Sequence, residues 1–309
     1  MSKEKRTTYI GWNGISARIP TDWTLTAVGG DRRSGYLRID YEQVPRLQVK
    51  WSRKHIDLEA KRDEYLKRLA KGRRRRPSGI EVSTDARAIS KRSKPKKDIV
   101  SFAWHGPHCG LGVLWNCHVC GRAVMAQAAW SIRNEGREEA QEVLESLDDH
   151  GVSGWDTWGV DGLVFLAPAE YEMEGWQRMT RYLELRLVGG PGKLKVARWG
   201  LVPLVLGERS VKEWYEEENS RRRDIRWEAE ETRIKGHDGV AARGKLRRLA
   251  GDFRTRLRKS IGRPPAVEYG ARGWHCTESN RLYLVEAFHK GSAEALDGAV
   301  KSVLCHEGV

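Results

Sequence analysis

The chain has 309 residues, 39% of them hydrophobic and 32% charged, with 13 Trp. That aromatic content excludes general disorder, because aromatic side chains contribute the largest buried areas, and the length suits two modules of roughly 150 residues. A formal net charge of +14 points to an anionic partner. No stretch approaches the ~18 apolar residues of a membrane span. The opening MSKEKRTTYIGW lacks a signal-peptide run, and five cysteines do not suggest a secreted disulfide framework, so a cytoplasmic chain is expected.

Residues 1–10 read as a charged, frayed tail. A short strand is expected from Trp12 to Pro20, a second over Tyr36, Leu37, Ile39 and Tyr41, and a third over Leu47, Val49 and Trp51, which alternate with Gln48 and Lys50. Gly29, Gly30 and Asp31 mark the turn between strands. Asp57 opens a helix with Leu58, Tyr65, Leu66 and Leu69 on its apolar face, and Gly72 is its stop. The segment from Ser83 to Lys97 reads as loop. Ile99, Phe102 and Trp104 start the next strand. Val113 to Cys117 and Ala123 to Ala128 form a hairpin. A helix over 135–148, with Ala140, Val143, Leu144 and Leu147 inward, ends the first module.

GVSGWDT, residues 151–157, reads as a linker. Strands are expected near 162–167, 181–188 and 193–199, with VGGPGKLK (188–195) as a hairpin turn, since a phosphate loop's Gly-x4-Gly-Lys spacing fails at Leu187. Ser210 caps a helix carrying Val211, Trp214 and Tyr215. Leu246, Leu249, Phe253, Leu257 and Ile261 suggest a basic amphipathic helix, which Pro264 and Pro265 end. A strand-turn-strand from Trp274 to Val285 and a helix over 292–305 close the chain.

The two halves match. Trp115, Cys117 and Arg122 align with Trp274, Cys276 and Arg281 at one constant offset; Pro20 aligns with Pro168, and YLRIDY at Tyr36 with YLELRL at Tyr182. The expected architecture is therefore α+β: a tandem duplication of an antiparallel sheet with packed helices, the modules spanning 1–150 and 158–309. The Ile19-Pro20-x-x-Trp23 entry followed by strand pairs resembles the PsbP-like and Ran-binding import-factor superfamily of α/β/α sandwiches. The second half keeps Pro168 but has Tyr171 for the Trp. That resemblance implies binding or assembly rather than catalysis and transfers no site residues.

Charge is concentrated in two inserts at corresponding places, 50–97 and 221–263. Residues 50–97 hold 18 Lys+Arg against 6 Asp+Glu, and residues 243–263 hold 9 against the single acid Asp252, so the remainder is slightly acidic. Like charges at this density suit a polyanion surface. The candidate phosphate contacts in the first insert are Arg73, Arg74, Arg75, Arg76, Lys91, Arg92, Lys94, Lys96 and Lys97. Those in the second are Lys245, Arg247, Arg248, Arg254, Arg256, Arg258 and Lys259. This predicts a non-enzymatic nucleic-acid-binding protein, RNA favoured over DNA because no helix-turn-helix or zipper pattern is present. An acidic protein partner is the alternative, and no small-molecule substrate is indicated.

Cys117-x-x-Cys120, with Cys109 and His105 nearby, is the candidate zinc set, the third reading being an enzyme or zinc protein built on residues 105–120. The second half has Ser279 in place of Cys120, which favours Cys117 and Cys276 as small buried residues of matching strands. Arg122 and Arg281 fit either a phosphate contact or an ordering ion pair.

Overall fold

A computed structural model describes residues 6–71, 79–131, 136–190, 192–246 and 267–306. Its first element departs from the expected frayed tail: β1 (Thr7–Trp12) and β2 (Ile15–Pro20) form an antiparallel hairpin. The turn explains why. Asn13 and Gly14 both adopt positive φ, 51° and 88°, as a two-residue type I′ turn requires. Ile10, Trp12, Ile15, Ala17 and Ile19 of this hairpin are buried.

By contact density the chain divides into residues 1–164 and 165–309. In the first unit, β3 (Thr24–Gly30), β4 (Ser34–Tyr41) and β5 (Val44–Ser52) form a meander. There follow α1 (Leu58–Lys71), β6 (Glu81–Ser83), β7 (Lys97–His105), β8 (His108–Cys117), β9 (Ala123–Ser131) and α2 (Arg137–Ser146). The seven strands β3 to β9 make one sheet in the order β3-β4-β5-β9-β8-β7-β6, and each neighbouring pair is antiparallel. Leu47, Val49 and Trp51 are buried on β5, as their alternation predicts. Asp57 Oδ1 accepts from Ala60 N at 2.9 Å to start α1. Leu58 and Leu66 of that helix cluster with Phe102, Trp104 and Leu114 of the sheet.

The expected linker is shorter than residues 151–157, because Trp155 already begins β10 (Trp155–Val160). β10 leads through Asp161 and Gly162, again at positive φ (46° and 78°), into β11 (Leu163–Pro168). A four-stranded sheet has the order β11-β10-β1-β2.

The second unit continues with β12 (Glu172–Met179), β13 (Tyr182–Gly189), β14 (Gly192–Gly200), α3 (Val202–Leu206), α4 (Val211–Asn219), β15 (Ile225–Ile234), β16 (His237–Leu246), β17 (Glu268–Cys276), β18 (Arg281–His289) and α5 (Glu294–Ser302). Its seven-stranded sheet runs β12-β13-β14-β18-β17-β16-β15, the same order as in the first unit when strands are counted from the meander. α4 starts on a capping box: Ser210 Oγ accepts from Glu213 N, and Glu213 reaches back to Ser210 N. Val211, Trp214 and Tyr215 then pack over Val240, Ala242, Tyr269 and Ala271 of the sheet.

The fold is thus mostly antiparallel sheet with helices against it. The basic insert expected at 221–263 is corrected in part, since residues 225–246 are the β15–β16 hairpin, paired along its length. The amphipathic helix expected from Leu246 to Ile261 lies outside the described residues, apart from Leu246, which ends β16. No helix among the described residues is long and apolar enough to cross a membrane.

Candidate metal centre

Four ligand-bearing side chains meet where β16 begins and β17 ends. His237 opens β16 and Cys276 closes β17. α5 then returns the chain, and the extended C-cap Val303 (φ −54°, ψ 122°) releases Cys305 and His306 toward the same point. One ligand atom from each of His237, Cys276, Cys305 and His306 lies within 4.8 Å of the others. His306 Nδ1 is 3.4 Å from Cys276 Sγ and 3.2 Å from Cys305 Sγ, and His237 Nε2 is 3.8 Å from Cys305 Sγ. The two cysteines are buried and the two histidines half-buried. Burial pushes the Cys305 thiol above its ordinary pKa, with Cys276 beside it adding to the shift. Burial, reinforced by His306, pulls His237 below the ordinary histidine value and so favours the neutral ring. On its outer side His306 Nε2 faces Glu278 Oε1 at 3.7 Å.

The first unit gathers a different set at the same place in its strand order: Cys117, Cys120, Asp149 and His150. Cys117 ends β8 as Cys276 ends β17, and Asp149 and His150 follow α2 as Cys305 and His306 follow α5. The difference is what stands where His237 would be. Lys97 is paired with Cys117, two positions beyond the Ile99–Trp115 pair, as His237 lies two positions beyond the Gly239–Trp274 pair. Lys97 Nζ lies 2.7 Å from Asp149 Oδ1, 2.5 Å from Asp148 Oδ1 and 4.5 Å from the Trp115 ring centroid. Cys120 Sγ donates to Asp149 Oδ2 at 3.0 Å.

Burial opposes the charge on Lys97, yet Asp149 and Asp148 outweigh it and hold its pKa above the ordinary lysine value. Burial likewise opposes the Asp149 carboxylate, and the Lys97 ammonium overcomes this to hold its pKa well below the usual carboxylate range. Cys120 is driven up by burial first and by Asp149 second. Arg122 is buried and donates to the carbonyls of Asp149 (2.8 Å), Asn13 (2.8 Å) and Arg32 (2.7 Å), so it orders the turn and is not open to a phosphate.

The residues singled out from the sequence divide accordingly. Cys117 and Cys120 do come together. Cys109 and His105 do not join them, because they sit at the far end of the β7–β8 ladder, eight residues of extended strand away, about 27 Å. Of the phosphate candidates, Arg73 to Arg76, Arg247, Arg248, Arg254, Arg256, Arg258, Lys259 and the side chain of Lys91 lie outside the described residues. Arg92 and Lys96 are exposed. Lys94 and Lys97 are corrections: both are buried against Asp148, at 3.7 Å and 2.5 Å, and are spent on internal ion pairs.

Lys245 is exposed near the end of β16. Arg226 is its cross-strand partner, Arg243 lies two positions away, and Arg272 is opposite Ala241. The alternation of strands puts these four cations on one sheet face, where they line a cleft of about 680 Å³, while the Trp227 side chain faces the other way and packs edge-on against Tyr215, ring centroids 5.4 Å apart.

His237, Cys305 and His306 escaped the sequence reading. The available signal was the match of Ser146-Leu147-Asp148-Asp149-His150 with Ser302-Val303-Leu304-Cys305-His306, which keeps the serine and the histidine after the last helix of each half.

The second unit also holds a buried charged network under α4. Glu286, 2% exposed, accepts from Arg222 at 2.7 Å and from Tyr269, and pairs with Lys195. Burial disfavours its charge, but Lys195 and Arg222 hold its pKa below the ordinary glutamate value. A cavity of about 500 Å³ opens onto Glu286, Lys195, Trp199, Trp214 and Arg222. At the corresponding place in the first unit, Gln127 donates to Gln48 at 2.8 Å and accepts from Tyr65. No protein-family model and no curated protein matches the chain.

Proposed function

We propose that the chain is a tandem duplication of one sheet-and-helix module that binds nucleic acid through its basic segments. The duplication is supported by the shared strand order and by small matched details. Both first hairpins turn at a positive-φ residue followed by glycine, Asn13-Gly14 and Asp161-Gly162. Ser146 Oγ accepts from Arg18 N at 2.9 Å, and Ser302 Oγ accepts from Leu166 N at 2.8 Å, each binding its unit's last helix to its second strand. The weak likeness to binding and assembly factors at Ile19, Pro20 and Trp23 agrees with a non-catalytic role.

The observation that carries the binding reading is the alignment of Arg226, Arg243, Lys245 and Arg272 on one face of the second sheet, immediately before the basic run 247–263. Glu228, Glu268 and Asp297 share that cleft, so its own excess is small and affinity depends on continuity with the run that follows. Cations in such a stripe neutralise phosphates and release counterions, which makes affinity fall with salt.

The test is anisotropy of a labelled RNA or DNA strand with the full chain at rising salt. A log–log slope steeper than about −3, equivalent to several phosphate contacts, is expected, and Arg243→Glu with Lys245→Glu should make it shallower and weaken binding. A flat response overturns the reading.

A further inference from the structure

We propose that the second unit binds one zinc ion through His237 Nε2, Cys276 Sγ, Cys305 Sγ and His306 Nδ1, and that the first unit binds none because the Lys97 ammonium fills the equivalent position. Two sulfurs and two imidazole nitrogens form the donor set of closed, structural zinc sites. The spacing fits. A tetrahedral ion with Zn–S of about 2.3 Å and Zn–N of about 2.0 Å sets its sulfur–nitrogen edges at about 3.5 Å; three of the four sulfur–nitrogen separations are 3.2, 3.4 and 3.8 Å, and all four ligand atoms lie within 4.8 Å of one another. The tautomers fit as well. With Nδ1 of His306 turned inward, Nε2 is left on the outer side, 3.7 Å from the Glu278 carboxylate, where metal-bound histidines commonly have a partner.

The sources of the ligands argue for a staple. His237 and Cys276 are ends of neighbouring strands, whereas Cys305 and His306 belong to the segment after α5. A shared ion ties that segment to the sheet. In the first unit the tie between the segment after α2 and the end of β7 is the Lys97 pair with Asp148 and Asp149. A divalent ion there would meet an ammonium already held 2.7 Å from Asp149, a like-charge contact that disfavours loading. The charges balance in both units: the Asp148 and Asp149 carboxylates against the Lys94 and Lys97 ammoniums, and two thiolates against Zn²⁺. Loading the second unit therefore takes one proton from the Cys276 thiol and one from the Cys305 thiol into solvent.

The experiment uses the full chain, reduced and purified without chelator. Elemental analysis should find one zinc per chain, and titration of the chelator-stripped protein with Co²⁺ should give the visible bands of a tetrahedral thiolate site that saturate at one equivalent. Zinc addition to stripped protein in weak buffer should release two protons per ion. Cys305→Ser and His306→Ala should abolish uptake, whereas Cys109→Ser and Cys120→Ser should leave one equivalent bound. Glu278 is exposed, where substitutions usually change stability little, so Glu278→Ala tests the site where a ligand variant fails to fold. It should weaken zinc by roughly ten-fold or more. No uptake of zinc or cobalt overturns the proposal. So does metal that survives Cys305→Ser, or a second equivalent that Cys120→Ser removes.

Discussion

The two seven-stranded sheets solve one structural problem with different chemistry. Each must fasten the segment after its last helix to the strand ends beneath it. The first unit uses a lysine whose ammonium reaches two aspartates; the second places two cysteines and two histidines around a common centre. Under α4 or α1 the same division recurs in another form. A neutral Gln48–Gln127 pair occupies the first unit where Lys195 and Glu286 occupy the second. A backbone arrangement therefore dictates that a buried polar group needs a partner there, and leaves the kind of partner to the side chains.

If that contrast is right, single substitutions should cost most where a lone charge is left buried. Lys97→Met strands Asp149, which is fully buried, and should destabilise the chain by about 3–5 kcal/mol in denaturant unfolding. His237→Ala in metal-free protein strands no charge and should cost less than about 1.5 kcal/mol. Equal losses would erase the distinction between a charge tie and a metal-ready tie. Next in size, Lys195→Met should cost about 3 kcal/mol by leaving Glu286 short of a cation, while Gln48→Ala costs about 1 kcal/mol. Converting Lys195 and Glu286 together to Gln copies the neutral pair and should recover most of that loss; failure to recover would mean that Arg222, not the pair, governs the site.

Acid separates the units further. Asp149 and Glu286 both have carboxyl pKa values held below their ordinary ones. The unfolded chain thus binds protons first, and each group's stabilisation is present above about pH 4 and lost as pH falls toward the folded value. Asp149→Asn should flatten the loss below pH ~4 in the first unit and Glu286→Gln that in the second, as followed by tryptophan fluorescence during acid titration. A profile unchanged by either would assign acid sensitivity elsewhere.

What the sequence disclosed follows from how strongly each element is marked. β5 was legible because Leu47, Val49 and Trp51 alternate with polar residues and are all buried. α4 was legible through its Ser210 cap. β12 and β15 were not, because they are the two edges of their sheet and are mostly exposed, with Glu172, Glu174, Gln177 and Arg178 on one and Arg226, Glu228, Glu230 and Glu231 on the other. Edge strands carry charge to resist pairing with other chains, and this removes the apolar alternation by which strands are recognised. The Trp115–Trp274 match located the right strand ends, but the ligands of the second unit come from residues 29 and 30 positions after Cys276 and from another strand before it. A search for cysteines close in sequence favours Cys109 and Cys120, whereas strand geometry sends Cys109 to the opposite end of β8.

The smallest expected effect compares the helices that cover the two polar sites. α1 is started by Asp57 alone, and α4 by the reciprocal Ser210 and Glu213 pair. Asp57→Ala and Ser210→Ala should each cost about 1 kcal/mol, the usual worth of a cap side chain. Because α4 also walls the cavity over Glu286 through Trp214, fraying its first turn should let water reach the charged network. Ser210→Ala should therefore speed amide hydrogen exchange at Tyr269 and Glu286, while Asp57→Ala leaves exchange at Gln127 unchanged, since a neutral amide pair gains little from water that a carboxylate gains in full. Equal protection in both variants would mean that α4 is held by its packing on Val240 and Ala242 and not by its cap.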